Sequence, residues 1–408
     1  MASASDTGSG EAGLPRAASP DKPPVIAHLL PHFDDGIIGR AVLDIATATL
    51  SAGGRAIVVS TGGRLASRLA ALGGKNIEMT LDTRNPLAQR RNADQLAQVI
   101  EREGIHIIHA HNRAPAWCGY RAAQRTDARF VTTYDRAYEN DALLKRRYNA
   151  VMAKGAPTIA VSDHIAGVIR AQHGVPADRI VTVARGIDPA LFDPDAMTGG
   201  RIIQLTDRWG LTDEPRPVFL LPGSLTAEKG QAVFVDACAL LRTRRGPDFV
   251  GLMVGDAPLG AGMTYADGLE KRAMQHGCAD VVKIAGTCLD MPAAYRLASC
   301  VVSAATTPEA FDRVAVEAQA MGRAVIGTNH GSLPEIVEDG LTGALVAPGD
   351  AETMAEAMNA FLDLDDATRD RIGERARMRA VEHFSTDRMQ AAMMRVYERA
   401  TGLRFPVG

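Results

Sequence analysis

The amino-acid sequence predicts an α/β chain of two doubly wound domains. Short, continuously apolar runs alternate with longer helix-forming stretches, and the alternation restarts after a Pro- and Gly-marked stretch between Arg185 and Gly200. A chain of 408 residues also exceeds what one hydrophobic core normally organises.

From Val25 onward, Val25–Leu30, Arg55–Val59, His106–His109, Phe130–Thr133 and Thr158–Val161 read as buried strands. Continuous rather than alternating hydrophobicity suits parallel strands covered on both faces. Helix-like stretches fall near 38–52, 64–73, 88–103, 114–125 and 142–153, which makes the first half a doubly wound unit. After the break, strands are expected at Val218–Leu221, Val250–Val254, Val281–Ile284, Cys300–Ser303 and Ala324–Gly327, again with helices between. Two such halves would leave the carboxyl ends of their strands lining one cleft. The chain from about 351 is strongly helical, and its last segment, from Thr386 to about Ala400, is expected to cross back and brace the first domain. The boundaries are therefore set at 1–22 for a disordered tail, 23–190 and 191–385 for the two domains, and 386–408 for the returning helix and tail.

With 46% hydrophobic and 23% charged residues the chain can bury ordinary cores. A net charge of −3 gives no global basic field, which argues against a nucleic-acid partner. Cys118, Cys238, Cys278, Cys288 and Cys300 form neither a CxxC pair nor an even framework, and read as reduced thiols of a cytoplasmic protein. Residues 1–22 are rich in Ala, Ser, Gly and Pro and lack the apolar centre of a signal peptide. No later segment offers about 18 uninterrupted apolar residues, as a membrane span would need.

The run Thr307 to Ala318 carries the strongest chemistry. Seven residues lie between Glu309 and Glu317, around the start of an apolar helix-forming stretch. With a helix beginning near Asp312, Glu309 sits above its N-terminus and Glu317 over a turn into it, so both flank an anion-attracting end. A nucleotide sugar could lie there, with its diphosphate on the free N–H groups and its sugar and ribose towards the two carboxylates. The plainer alternative is a helix with an acidic flank and one surface Glu. The loop Pro222 to Gly230 follows a strand and precedes a helix, and its glycine turn and Lys229 suit a phosphate; alone, it would be an ordinary loop with a solvated lysine.

Taken together, Gly223-x-Leu225-x-x-x-Lys229-Gly230, Gly255-Asp256, Gly286, Glu309-x7-Glu317 and Gly331 to Gly343 resemble the group 1 (family 4) glycosyltransferases. The likeness extends upstream through Ala160–Ser162, Ile180–Val183 and Arg185–Asp188, and covers roughly residues 25 to 400. It implies the GT-B fold, two Rossmann-like domains facing a central cleft. It also implies retaining transfer of a hexose from a nucleotide-diphosphate sugar to a glycan or lipid-linked acceptor, with no metal and no other cofactor. Arg113–Trp117 and Lys145–Asn149 are similar to bacterial enzymes that build lipopolysaccharide core or surface glycans.

On matching positions, the resemblance assigns Lys229 and the loop at Gly223 and Ser224 to the donor diphosphate, and Glu317 to the ribose. Glu309 would hold the transferred sugar, and backbone N–H groups from Phe311 through Asp312 and Arg313 to Val314 would meet sugar or phosphate oxygens. The physics agrees: the leaving group is a nucleoside diphosphate, so catalysis mainly means stabilising the charge that develops on it. A helix N-terminus, Lys229 and Arg313 can do that.

Four positions depart from the family. Ser224 stands where relatives carry Arg, and losing a charge-assisted phosphate contact typically costs on the order of 1.5–3 kcal/mol. Asp312 replaces a Gly, and reads either as a charge near the phosphates or as a helix cap with its carboxylate turned to solvent. The loop after the first strand is Asp34 to Arg40, with Gly36 on the acceptor side and Ile37 where relatives have a second Gly. Asp135, placed in the catalytic set, stands where relatives often have His; a carboxylate can accept a proton but cannot donate as a neutral imidazole does. Two readings follow. One is an active transferase with altered donor or acceptor preference, and the other a degenerate, weakly active or non-catalytic nucleotide-sugar or glycan binder.

Other chemistries fit less well. No GxGxxG follows a first strand, as a dehydrogenase would need, and no G-x-S-x-G elbow marks a hydrolase. His28, His32, His109, His111 and His164 show no metal spacing with carboxylates. Past a strand end, His111 and Arg113 are assigned to the acceptor side. Arg90, Arg91, Arg121, Arg125 and Lys145–Arg147 could dock the chain weakly at the inner face of a membrane, with a salt-dependent grip.

Overall fold

The structure is a computed structural model, and it describes residues 23–83, 85–139, 141–256 and 262–406. The expected disordered tail lies outside these. The chain divides into two compact units. One holds the described residues through Thr132 with Lys154–Pro157 and the stretch from Met394 onward, and the other holds Thr133–Ala153 with Thr158–Met393.

Seven strands build one sheet: β1 (Val25–Leu29), β2 (Arg55–Ser60), β3 (Lys75–Glu78), β4 (Ile107–Ala110), β5 (Arg129–Tyr134), β6 (Thr158–Ala160) and β7 (Ile180–Thr182). Their order is β3-β2-β1-β4-β5-β6-β7. β1 pairs β2 and β4 in parallel, β2 pairs β3, β4 pairs β5 and β6 pairs β7 in the same sense. Six further strands build the second: β8 (Val218–Pro222), β9 (Val250–Val254), β10 (Val282–Ile284), β11 (Cys300–Ser303), β12 (Ala324–Thr328) and β13 (Gly343–Val346), in the order β10-β9-β8-β11-β12-β13, all parallel.

Every residue of β1, β8, β9 and β11 is buried. Helices on both faces explain why these strands are continuous apolar runs, and each fully buried Val, Leu or Ile contributes about 1.5–3 kcal/mol. The helix Pro86–Glu103 shows how local chemistry sets an element: Asn85 accepts from the N–H groups of Leu87 and Ala88, and Pro86 fills the first turn, where no N–H is needed.

The expected helix over 142–153 is shorter, Leu143–Asn149 followed by a 3₁₀ turn at Ala150–Ala153. The last helix runs Thr386–Thr401, and within the first unit its Tyr397 hydroxyl lies 2.7 Å from His109 Nδ1. All five cysteines are free thiols, four of them buried.

Candidate functional site

In both sheets the strand order reverses once, between β1 and β4 and between β8 and β11. Connections leave neighbouring strands in opposite directions at such a point, and the crevice at the strands' carboxyl ends is where open α/β sheets bind ligands. The loop after β8 carries Gly223, Ser224 and Lys229; the loop after β11 carries Glu309, Phe311 and Asp312.

Gly230 brings these loops together. It takes φ +73°, and a Cβ there would lie 1.8 Å from the Ala304 carbonyl oxygen. Only a glycine allows the approach. The Thr306 N–H donates to the Glu228 carbonyl at 2.9 Å. Lys229 Nζ thereby reaches Glu309 Oε1 in an ion pair, with the two side chains 33% and 24% exposed. Burial pushes the Glu309 carboxyl above its ordinary value and the charge of Asp312 adds to this, while Lys229 opposes both.

The helix Arg313–Ala320 begins where the sequence places it, with Asp312 as its cap. Asp312 Oδ1 accepts from the Ala315 N–H at 2.9 Å. The expectation that its carboxylate turns to solvent is corrected: Asp312 is buried, and Oδ2 accepts from Ser303 Oγ at 2.5 Å. Ser303, at the end of β11, supplies the donor that makes this burial tolerable. The Asp312 N–H, one of the groups assigned to substrate oxygens, donates to Ser332 Oγ at 2.8 Å.

Glu317 is buried rather than a surface carboxylate. Arg313 pairs with its Oε1, and the Tyr295 hydroxyl donates to Oε2 at 2.9 Å. Burial raises its pKa, with Arg313 and Tyr295 opposing. The Phe311 ring sits 6.0 Å from that of Phe384, and Phe311 and Val314 pack on the core of the second sheet. The Gly223 N–H donates to the Val254 carbonyl at 2.9 Å, and the Ser224 carbonyl accepts from Gln231 Nε2 at 2.8 Å.

Asp135 follows β5, its side chain 7% exposed, and accepts from the Tyr138 hydroxyl at 3.3 Å. Arg136 and Arg185 each lie 3.9 Å from it. The sequence reading missed Arg185, Tyr295, Ser303 and Ser332 as companions of the site. Arg185 and Ser332 belong to quoted motifs, which was the signal available.

Gly36, His111 and Arg113 lie in the first unit, after β1 and β4. Gly36 has φ −79° and open space where a Cβ would stand. The tight glycine is Gly39, whose Cβ would meet the Asp34 carbonyl at 2.0 Å. Arg113 opens the helix Arg113–Ala123. His111 is buried, its Nε2 3.1 Å from His28 Nδ1, and its ring centroid lies 4.1 Å from that of His109. Ring nitrogens of the three histidines fall within 4.8 Å of one another. Because His28 and His111 bond each other and His109 bonds Tyr397, we assign the group no ion and read it as a buried hydrogen-bonded network. Burial lowers His28 to about 3 and His109 well below its ordinary value, so both are neutral.

Several of the basic residues proposed for docking have local partners. Arg125 pairs with Asp94, Lys145 with Glu139 and Asp141, and Arg121 bonds Gln89 Oε1 at 3.0 Å. Among the described residues, no helix is long and apolar enough to cross a membrane.

Comparison with known proteins bears on the family and the fold. Residues 205–379 match the family described as glycosyl transferases group 1, and residues 38–191 match glycosyltransferase family 4. The α-D-kanosaminyltransferase of Streptomyces kanamyceticus is 30% identical over 248 residues, 60% of this chain and 60% of that protein. This chain therefore spans under two thirds of that relative's length. A glycosyltransferase structure from Rickettsia africae ESF-5 superposes with a TM-score of 0.83 at 28% identity, covering 93% of this chain and 98% of that one. The structure of Anabaena Alr3699/HepE in complex with UDP-glucose gives 0.75 at 22% identity, covering 93% and 100%.

Proposed function

This chain belongs to the group 1 glycosyltransferases, and from that premise we propose that it transfers a hexose from a nucleoside-diphosphate sugar with retention of anomeric configuration. The observation that carries the reading is the meeting of Lys229 and Glu309 at the β8/β11 switch point, with Glu317 one helix turn beyond the cap. A donor entering there parts the pair. Lys229 turns to the diphosphate and Glu309 to a hydroxyl of the transferred sugar, while Glu317, held by Tyr295 and Arg313, accepts from the ribose. Lys229 and Arg313 are the cations that would stabilise the leaving diphosphate, which is why the reading needs no metal. The UDP-glucose complex of the HepE structure supports a nucleotide-sugar donor.

In this reading residues 191–385 form the donor domain, residues 23–190 the acceptor domain, and the returning helix spans 386–408. The acceptor is a glycan or lipid-linked sugar of cell-envelope polysaccharide, supported by the likeness of Arg113–Trp117 and Lys145–Asn149 to enzymes of that class. Weak docking at a membrane's inner face would fall to Arg90, Arg91, Arg146 and Arg147. Co-sedimentation with liposomes that is indifferent to anionic lipid and to salt removes that element.

Melting of the full chain against a panel of nucleotide sugars tests the donor. A ligand of the native state present at 100 times its Kd stabilises by about 2.7 kcal/mol, so the donor raises the melting temperature and then supports transfer. A panel that shifts nothing and supports no transfer overturns the proposal. Binding without turnover is the second reading, favoured by the absence of a charge at Ser224 and the buried acid Asp312 beside Glu309. Gain of activity in Ser224→Arg with Asp135→His would support it.

A further inference from the structure

A second charged group, built from three segments of the second unit, includes Arg185, a cation with no role in the donor reading. Asp135 follows β5, Arg185 follows β7, and Arg313 opens the helix Arg313–Ala320. The Arg185 side chain is 15% exposed, and its nearest acid is Asp135 at 3.9 Å, beyond hydrogen-bond length. That carboxylate is shared, since Arg136 lies at 3.9 Å and the Tyr138 hydroxyl at 3.3 Å. Burial holds the Arg185 pKa below its ordinary value against the pull of Asp135, and Arg313 and Arg136, acting as like charges, add to the lowering. A guanidinium offers five N–H donors in a planar fork and stays charged at neutral pH. Burying one against a single distant carboxylate and two like charges is costly unless an anion completes its shell.

The position of Arg185 says which anion. Arg313 links it to Glu317, Asp312 acts on both Glu317 and Glu309, and Glu309 holds Lys229. Within this chain of charges Lys229 and Arg313 are each paired closely with a carboxylate, and Ser224 supplies no charge. Of these three cations, Arg185 has the most distant carboxylate. We propose that Arg185, with Arg313 beside it, is an anion-binding residue that receives the diphosphate of the donor, and that Asp135 is its positioning residue. The inference rests on the donor reading above. A planar fork matches two phosphate oxygens at once, and it would offset the charge that the loop after β8 lacks at Ser224.

The test is calorimetric titration of the full chain with UDP, GDP and ADP and with the matching monophosphates, on wild type, Arg185→Gln, Arg185→Lys and Lys229→Ala. Arg185→Gln is expected to weaken the nucleoside diphosphate that wild type binds by tenfold or more and the monophosphate by less, with Arg185→Lys between. Its ligand-free melting temperature should not fall, because the weakly paired cation is removed. If wild type binds no nucleotide, or Lys229→Ala binds like wild type, the donor reading fails and takes this inference with it. If Lys229→Ala weakens binding while Arg185→Gln and Arg185→Lys both bind like wild type, this inference alone is overturned. An Arg185→Gln protein with unchanged nucleotide affinity but a raised KM for acceptor would place the anion on the acceptor, and overturns it equally. Should Arg185→Gln not fold, Arg185→Lys carries the comparison, since a point charge without the fork should still lose affinity for diphosphate.

Discussion

Lys229 and Glu309, 80 residues apart in the chain, close an ion pair across the point where the second sheet reverses its strand order. In this half-buried pair the desolvation of Glu309 offsets much of the attraction, so the pair contributes roughly 0–1 kcal/mol to stability. The larger effect is what each group does when the pair opens. Lys229→Ala and Glu309→Ala should each lower kcat/KM for the donor by roughly ten- to a hundredfold, as loss of charge-assisted contacts of about 1.5–3 kcal/mol implies. Their urea midpoints should move little. Wild-type transfer rates in both variants would remove Lys229 and Glu309 from the mechanism.

Asp312 should matter in the opposite way, chiefly to stability. Asp312→Ala strips the cap from the helix Arg313–Ala320 and leaves Ser303 Oγ without its buried partner. A lost cap costs about 1 kcal/mol and a buried unsatisfied group about 1–3, so the total is roughly 2–4 kcal/mol. Asp312→Asn keeps an oxygen for the cap and a polar atom for Ser303, and should cost much less. Equal urea midpoints for the two variants would show that the carboxylate, not the hydrogen-bond geometry, is what the site requires.

Hydrophobic runs mark the strands of the sheet interiors and one edge strand, β10. β3, β7 and β13, which the sequence reading leaves unmarked, are the other three edge strands, and apart from Val346 their residues are half-buried or exposed. An edge strand has one backbone neighbour and little cover, so its side chains need not be apolar, and the periodicity that reveals β1 or β8 is missing. The same logic divides the site. Lys229, Glu309 and Glu317 sit in motifs whose spacing is visible along the chain. Tyr295, Ser303 and Arg185 become partners only through tertiary proximity. Asp312 falls between: its capping role follows from its place before a helix, but its burial depends on Ser303, which β11 delivers.

Acid should destabilise the fold through His28. Its folded pKa is lowered to about 3 against 6.5 unperturbed, so the unfolded chain binds a proton that the native state refuses. The stabilisation is full above the unfolded value and is lost as pH falls from 6.5 towards 3, by up to about 1.4 kcal/mol per pH unit for one such group. His109, also lowered, adds to the slope. Urea unfolding at pH 7.5, 6 and 5 should show the decline, and His28→Leu should flatten it. His28 Nε2 has no hydrogen-bond partner, so the apolar substitution leaves only the bond to His111 to be lost. An unchanged slope in His28→Leu would show that other groups govern acid stability.

Glu335 is expected to hold the helix Asp163–His173 and, through it, the backbone beside Glu309. Its two carboxylate oxygens accept from the Asp163 N–H at 2.8 Å and the His164 N–H at 2.6 Å, which satisfies two first-turn donors from a remote turn. Next to them Ser162 Oγ accepts from the Ile165 N–H at 3.2 Å and donates to the Ala310 carbonyl at 2.6 Å. Glu335→Ala removes two charge-assisted bonds and should cost about 1.5–3 kcal/mol, while Glu335→Gln keeps one good acceptor and should cost less. Because Ala310 follows Glu309, Glu335→Ala should also raise KM for the donor more than it lowers kcat, the mark of a loosened binding loop rather than a lost catalytic group. A donor KM unchanged in a measurably destabilised Glu335→Ala protein would confine Glu335 to capping.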